Sequence, residues 1–182
     1  MARRARVVAV AIGIGMAVTA TGSVATAGSD SSGTSPNMLR EQLTGYEEDP
    51  LPISTNGTGH FQARIDDRLQ QITYQLSYTT LEGTVQQAHI HFGGTAQSGG
   101  ISVFLCTNLG NGPVGTQLCP AAPATVTGTI KAADVIGPAN QSLTAGQYID
   151  FVKAIRNGTT YVNVHSSSFP GGEIRAQLGH HH

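Results

Sequence analysis

The chain has 182 residues, of which 39% are hydrophobic and only 12% are charged, and its formal net charge at pH 7 is −1. No basic patch is visible in the sequence, so a phosphate-binding surface for nucleic acid is not expected. Abundant glycine and threonine with few charges and no tryptophan are typical of exported β proteins.

Residues 1–27 have the organisation of a secretory signal peptide. Three arginines precede the apolar run VVAVAIGIGMAV, and Ala25-Thr26-Ala27 forms an A-x-A cleavage site. The run is shorter than the roughly 18–20 residues that cross a bilayer, although a retained N-terminal anchor is the alternative. We therefore expect a secreted, extracytoplasmic mature chain of about 155 residues, enough for one domain, with no membrane span.

Two short segments flank the predicted domain. Residues 28–37 are mostly small and polar, with no apolar periodicity, and this predicts a disordered leader. Residues 180–182 are three histidines, a tail that is either native or part of a purification tag, and we expect its metal binding to be adventitious. The folded domain is expected to span residues 38–179.

Alternation of apolar and polar residues predicts strands through most of this domain. Phe61, Ala63 and Ile65 form one such series and Ile72, Tyr74, Leu76 and Tyr78 form another, which predicts a hairpin through Asp66-Asp67-Arg68. Further strands are predicted in segments bounded by Gly, Pro, Ser or Asn: VQQAHIHFG, GISVFLC, TVTGTI, TYVNVHS and GEIRAQL.

One helix is predicted in SLTAGQYIDFVKAIRNG, where apolar residues recur at helical spacing. Ser142 or Thr144 would cap its start, and Asn157-Gly158 would end it. The predicted fold class is therefore mostly β: an antiparallel β-sandwich or barrel-like domain with one short helix.

The two cysteines are predicted to form a disulfide. Cys106 and Cys119 both lie in the part of the chain expected to be exported, and they would close the loop TNLGNGPVGTQL. A cysteine metal site is the alternative, but neither residue belongs to a CxxC pair.

The segment AHIHFGG places His89 and His91 two residues apart on a strand. Because side chains alternate across a strand, Ala88, Ile90 and Phe92 are expected to face the core, with both histidines on the opposite face. The same reasoning sends Val162 and Val164 inward in YVNVHS, and it sends these residues outward on the last two strands: Tyr161, Asn163, His165, Glu173, Arg175 and Gln177.

Imidazoles at positions i and i+2 can converge on one ion with bonds of about 2.0–2.1 Å. A third imidazole from His165 would complete a set suited to copper or zinc, provided that His165 lies beside His89. The alternative is that these histidines face solvent and bond loop backbone. A catalytic histidine serving a serine nucleophile is not expected, since no GxSxG motif is present, and no catalytic residue is assigned.

Five segments together resemble the chordin-type CHRD domain family: LTGYEEDP, GTGHFQARID, ITYQLSYTTLEG, AHIHFGG and YVNVHSSSFPGGEIRAQL. The resemblance spans residues 39–178. It implies a mostly β, extracytoplasmic domain of the kind found in the growth-factor-binding protein chordin and as small stand-alone exported proteins of microbes, which have no agreed activity.

The family's recurrent polar positions match seven residues of this chain: Glu48, His89, His91, Asn163, His165, Glu173 and Arg175. The usual double proline after the first glutamate is replaced by Asp49-Pro50-Leu51-Pro52, so the shape of the first turn is expected to differ. The HxH strand is also similar to the copper strand of copper-zinc superoxide dismutases, but this chain has too few histidines for their full metal set.

The leading hypothesis is a secreted binding module with a surface metal site, copper before zinc. His89, His91 and His165 would be ligands, Glu173 or Asn163 would orient an imidazole, and Arg175 would pair with Glu48. The competing hypothesis is a structural or adhesive extracellular domain without metal, and a dismutase-like enzyme ranks below both. The expected partner is a metal ion or an extracellular protein, with a homodimer left open.

Overall fold

The structure is a computed structural model that describes residues 37–179. It contains eight strands and one α-helix: β1 (Met38–Thr44), β2 (Thr58–Asp66), β3 (Gln71–Thr79), β4 (Val85–Phe92), β5 (Gly100–Thr107), β6 (Ala124–Ile130), α1 (Tyr148–Arg156), β7 (Thr160–Ser166) and β8 (Ile174–Leu178). The predicted signal peptide (1–27), nearly all of the predicted leader (28–37) and the histidine tail (180–182) lie outside the described residues.

The strands form one antiparallel sheet in the order β5-β4-β7-β8-β1-β2-β3-β6. The two edge strands, β5 and β6, approach each other, so the sheet is a nearly closed barrel. The predicted fold class is thus confirmed. The predicted hairpin of β2 and β3 is present, with Ile65 opposite Ile72 and Phe61 opposite Leu76.

The apolar side chains of the alternating strands fill the space that the sheet encloses. Phe61, Leu76, Ile90, Val162 and Leu178 are at most 1% exposed and belong to one cluster. Burying each such side chain contributes roughly 1.5–3 kcal/mol. One face of every strand therefore faces this core, and the opposite face is the one available for a functional site.

Strand β1 was not predicted from the sequence. Its inward residues Leu39 and Leu43 are buried, but Glu41, which lies between them on the same face, interrupts the apolar alternation. Leucines four residues apart fit a helix as well as a strand. Pairing with β2 along its whole length, from Met38 opposite Arg64 to Thr44 opposite Thr58, makes this segment a strand.

The gap between the edge strands is closed by a side chain. Gln117 Nε2 donates to the carbonyl oxygen of Leu105 in β5 at 3.1 Å and to that of Thr127 in β6 at 3.1 Å. It also lies 3.0 Å from the hydroxyl oxygen of Tyr74, which donates to the same Leu105 carbonyl. An amide from the loop after β5 thus replaces the backbone ladder that would close a complete barrel.

Helix α1 buries the four residues that the sequence pattern placed on its apolar face: Tyr148, Phe151, Val152 and Ile155. Its predicted start was wrong, because the N-cap is Gln147, without a side-chain cap bond, rather than Ser142 or Thr144. Gly158, with φ +64°, provides the predicted left-handed end. Within residues 37–179, no helix is long and apolar enough to cross a membrane.

The predicted disulfide between Cys106 and Cys119 is present and both cysteines are buried. It anchors the loop that carries Gln117 to strand β5. In the chain-entropy model, a crosslink at a sequence separation of 13 contributes roughly 3 kcal/mol.

Reduction of this disulfide is expected to lower the melting temperature by about 6–12 °C, because 1 kcal/mol corresponds to about 2–4 °C in a domain of this size. Calorimetry of reduced and alkylated protein against oxidised protein measures the change. Titration of native protein with a thiol reagent is the control, and two reactive thiols before reduction would contradict the pairing.

Candidate metal centre

Strands β4 and β7 bring the three predicted histidine ligands together. In the ladder between these strands His89 lies opposite Asn163 and His91 opposite Tyr161, while His165 lies opposite Gln87. Side-chain contacts place five of the outward residues on one face of the sheet, as the alternation predicted: His89, His91, His165, Tyr161 and Arg175. His165 is therefore the diagonal neighbour of His89, a separation that side chains of this length can bridge.

The ring nitrogens of the three histidines converge. One nitrogen from each residue lies within 4.8 Å of the other two, and His89 Nδ1 is 3.2 Å from His165 Nε2. An ion equidistant from three nitrogens 4.8 Å apart would be about 2.8 Å from each, against bonds of about 2.0–2.1 Å. Side-chain movements of less than 1 Å would close that difference, so this cluster could hold a metal ion.

Two backbone carbonyls set the tautomers of two of these rings. His91 Nδ1 lies 2.9 Å from the carbonyl oxygen of Gly99, and His165 Nδ1 lies 2.9 Å from that of Pro170. A carbonyl only accepts, so each neutral ring carries its proton on Nδ1 and leaves a lone pair on Nε2. Such a hydrogen bond from the nitrogen that does not bind is the usual support of a metal-ligating histidine.

Burial keeps these imidazoles neutral. His89, His91 and His165 are 1%, 8% and 6% exposed. Desolvation lowers the pKa of His89 to about 2, with the neighbouring His165 and His91 adding to the effect, and it lowers the pKa of His91 to about 4. Burial also lowers the pKa of His165. Neutral imidazole is the form that binds metal.

The buried lone pairs are not all satisfied. Nε2 of His89 and Nε2 of His91 are buried and have no hydrogen-bond partner. A buried polar atom left without a partner costs about 1–3 kcal/mol. A cation bound by these two nitrogens would remove this cost, and neither has a hydrogen-bond partner among residues 37–179.

The expectation of a surface site was wrong, because the outer face of β4, β7 and β8 is covered by loops. The loop of residues 93–99 supplies Gly99, and the loop of residues 167–173 supplies Pro170. The segment 45–57 joins them, since Ser98 Oγ donates to Asp49 Oδ2 at 2.8 Å. Alternation alone shows which side of a strand a residue takes, and it contains no information about such a cover.

Arg175 does not form the predicted ion pair with Glu48. Its Nη2 donates to the carbonyl oxygens of Gly94 and Gln97 at 3.0 and 3.1 Å, and its guanidinium lies 3.5 Å from the centre of the Tyr161 ring. The ion pairs found within residues 37–179 involve other residues. Arg175 therefore holds the 93–99 loop over the site, and it acts on Glu48 only through its charge.

The two predicted glutamates occupy different places. Glu173 is fully buried and its Oε1 accepts from Thr55 Oγ1 and from the backbone N–H of Glu82, both at 2.7 Å, so it ties down loops and does not contact an imidazole. Glu48 is also buried, its Oε1 has no partner, and burial raises its pKa to about 7 against the opposing charge of Arg175.

Asn163 does contact an imidazole, with its Oδ1 3.0 Å from His165 Nε2. Tyr161 was not assigned to the site, yet its ring stacks on His91 at 4.8 Å between centroids with an interplanar angle of 2°. Its hydroxyl also accepts from the N–H of Gly99. The alternation that pointed to Asn163 and His165 already placed Tyr161 on their face, and it was the signal for this residue.

Comparison with known proteins gives one result that covers the domain. The profile of a family described as the CHRD domain matches residues 39–178. No curated protein and no solved structure matches the chain. The matched segment contains the three histidines, Asn163 and the strands that position them.

Proposed function

The chain belongs to the CHRD domain family, and from that premise and the geometry of its histidines we propose that it is an extracytoplasmic metal-binding module. His89, His91 and His165 are the ligands. The disulfide fits an oxidising compartment outside the cytoplasm, where such bonds persist. The ion lies beneath the loops and not at the surface.

One observation carries this proposal: the Nε2 atoms of His89 and His91 are buried without a partner. In a purely structural network these nitrogens would face donors, because each buried lone pair left free costs stability. The carbonyls of Gly99 and Pro170 supply the support on the other side of two of the rings. This arrangement favours a bound ion over the structural or adhesive alternative.

The ion we propose is copper, with zinc as the alternative. A set of imidazole nitrogens suits both metals, and divalent copper has the higher affinity for a given nitrogen site. Dismutase chemistry has no support of its own here, since a second metal site was not found among the described residues.

Copper titration of the full chain tests the proposal, with His180, His181 and His182 each replaced by serine to remove tail binding. We expect one equivalent bound with micromolar or tighter affinity in a chelator competition assay. His89→Ala is expected to abolish this binding, whereas the control His60→Ala, which removes an exposed histidine on β2, leaves it intact. Absence of binding, or equal loss in both variants, would reject the metal function.

Exchanging His91 and Phe92 provides a second test that keeps the composition constant. The exchange sends an imidazole toward the core and a phenyl ring into the polar face, so we expect both metal binding and about 2 kcal/mol or more of stability to be lost. His91→Gln is expected to lose metal binding with less than about 1 kcal/mol of destabilisation. Urea unfolding measures the stability of both variants, and the chelator competition assay measures their metal affinity. Unchanged metal affinity in His91→Gln would contradict the ligand set.

A further inference from the structure

The side chain of Asn163 has contacts that an ordinary hydrogen bond does not explain. Its Oδ1 lies 3.0 Å from His165 Nε2. Since His165 Nδ1 carries the proton that is donated to Pro170, Nε2 has only a lone pair on this side. An amide oxygen and an imidazole lone pair are both acceptors, so this contact has no proton of its own.

Two acceptors 3.0 Å apart are a few tenths of an ångström closer than two ligands of a single ion, so a small movement would give ligand spacing. Bonds of about 2.0–2.2 Å at tetrahedral angles put neighbouring ligand atoms roughly 3.3–3.5 Å apart. The Asn163 side chain also lies near the His91 ring, whose Nε2 has no hydrogen-bond partner. The oxygen thus faces the space between the imidazoles.

Glu48 lies behind the amide nitrogen. A side-chain carbon at Gly172 would be 2.7 Å from each Glu48 carboxyl oxygen and 2.9 Å from Asn163 Nδ2, so the carboxyl group and the amide nitrogen lie next to the same point. Gly172, with φ +134°, is the residue that permits this approach. A carboxyl group keeps an acceptor oxygen whether or not it carries a proton, and this oxygen favours the amide orientation in which Nδ2 faces it and Oδ1 faces the histidines.

We propose that Asn163 Oδ1 is the fourth ligand of the ion and that Glu48 is the positioning residue that holds the amide in this orientation. This inference rests on the proposed metal function of the three histidines. The resulting set of three nitrogens and one oxygen includes a hard ligand, so it selects a divalent ion over monovalent copper. With Asn163 in place, the ion has no vacant fourth position for a small anion.

The test uses Cu²⁺ and azide with the full chain in which the three terminal histidines are replaced by serine. Asn163→Ala is expected to weaken Cu²⁺ binding by about 10-fold or more and to strengthen azide binding to the copper-loaded protein by a similar factor, because the fourth position opens. Asn163→Asp keeps an oxygen at that position and is expected to retain Cu²⁺ affinity and to exclude azide. The azide-to-copper absorption band measures azide binding to the copper-loaded protein.

A role limited to supporting His165 would lower metal affinity without opening the site to azide, so an unchanged azide response in Asn163→Ala overturns the inference. If that variant does not fold, Asn163→Asp decides, and its loss of Cu²⁺ affinity overturns the inference instead. Cu²⁺ binding by the parent chain would in either case leave the proposed function standing. Failure of the parent chain to bind Cu²⁺ would contradict both the proposed function and this inference.

Glu48→Gln and Asp49→Asn separate positioning from general charge, since each removes one carboxylate and the two residues are adjacent. Glu48→Gln lets the amide turn, so we expect weaker Cu²⁺ binding and stronger azide binding. Asp49→Asn, whose side chain accepts from Ser98, is expected to change neither. Equal effects in both variants would show that only charge matters and would overturn the positioning role of Glu48.

Discussion

Acidification of the metal-free protein from pH 6.5 to pH 4.5 is expected to lower its free energy of unfolding by about 2–5 kcal/mol. In the unfolded chain each of the three site histidines takes up a proton below its ordinary pKa of 6.5, whereas burial keeps them neutral in the fold. Each uptake favours the unfolded state by up to about 1.4 kcal/mol per pH unit.

Glu48 opposes this trend. Burial raises its pKa to about 7, so the native state holds a proton between pH 4.5 and 7 that the unfolded state releases. Two protons taken up by the unfolded chain at His89 and His91, up to one more at His165, and one retained by the native chain leave a net slope of one to two protons, or about 1.4–2.7 kcal/mol per pH unit. The stability from the histidines is therefore complete above pH 6.5 and decreases as the pH falls.

Urea unfolding at pH 6.5, 5.5 and 4.5 in the presence of a chelator measures this slope. His91→Gln removes one titrating group from the site, so its slope is expected to be smaller by about 1.4 kcal/mol per pH unit. His60→Ala, which removes an exposed histidine, serves as the control with the parent slope. A stability that is flat or rises as the pH falls over this range would contradict a fold in which all three histidines stay neutral.

Saturation with copper is expected to raise the melting temperature by about 8–16 °C. A ligand present at 1,000 times its dissociation constant adds about 4 kcal/mol, because it binds the folded state and not the unfolded chain. In a domain of this size that free energy corresponds to the stated shift. The rise has a structural basis, since one ion would link β4 to β7 under the loops that cover them.

A thermal scan with and without Cu²⁺, in the chain without terminal histidines, measures the rise. His91→Gln is expected to show none of it, whereas His60→Ala shows all of it. A rise that persists in His91→Gln would mean that copper binds elsewhere on the protein. The same scan with Zn²⁺ shows which of the two metals stabilises the protein more.

The strands were predictable where one face meets the core and the other does not. The alternation of Phe61, Ala63 and Ile65 needs no tertiary information, because each inward residue is apolar and each outward one is polar. Strand β1 departs from this rule at Glu41 and was missed. Its identity comes from the ladder with β2, a contact between distant segments that local sequence does not encode.

The sequence predicted which histidines come together, but it did not predict the loops that cover them. The two-residue alternation of side chains along a strand placed His89, His91 and His165 on one face. The antiparallel pairing of β4 with β7 brings their nitrogens together. The loops that bury them have no periodicity, so sequence gave no sign of the cover. The acceptors of His91 and His165 are backbone carbonyls, which every residue has, and these have no sequence signature.

Strands β1 and β8 are antiparallel neighbours in the middle of the sheet, so the first residues of β1 and the last residues of β8 lie at the same end of the barrel. A short linker from residue 179 to residue 37 would make the backbone a continuous ring without disturbing a ladder. Opening that ring between residues 108 and 118 would create a circular permutant whose new ends are joined by the disulfide of Cys106 and Cys119. The ligands would then lie on both sides of the new linker, with His165 before it and His89 and His91 after it.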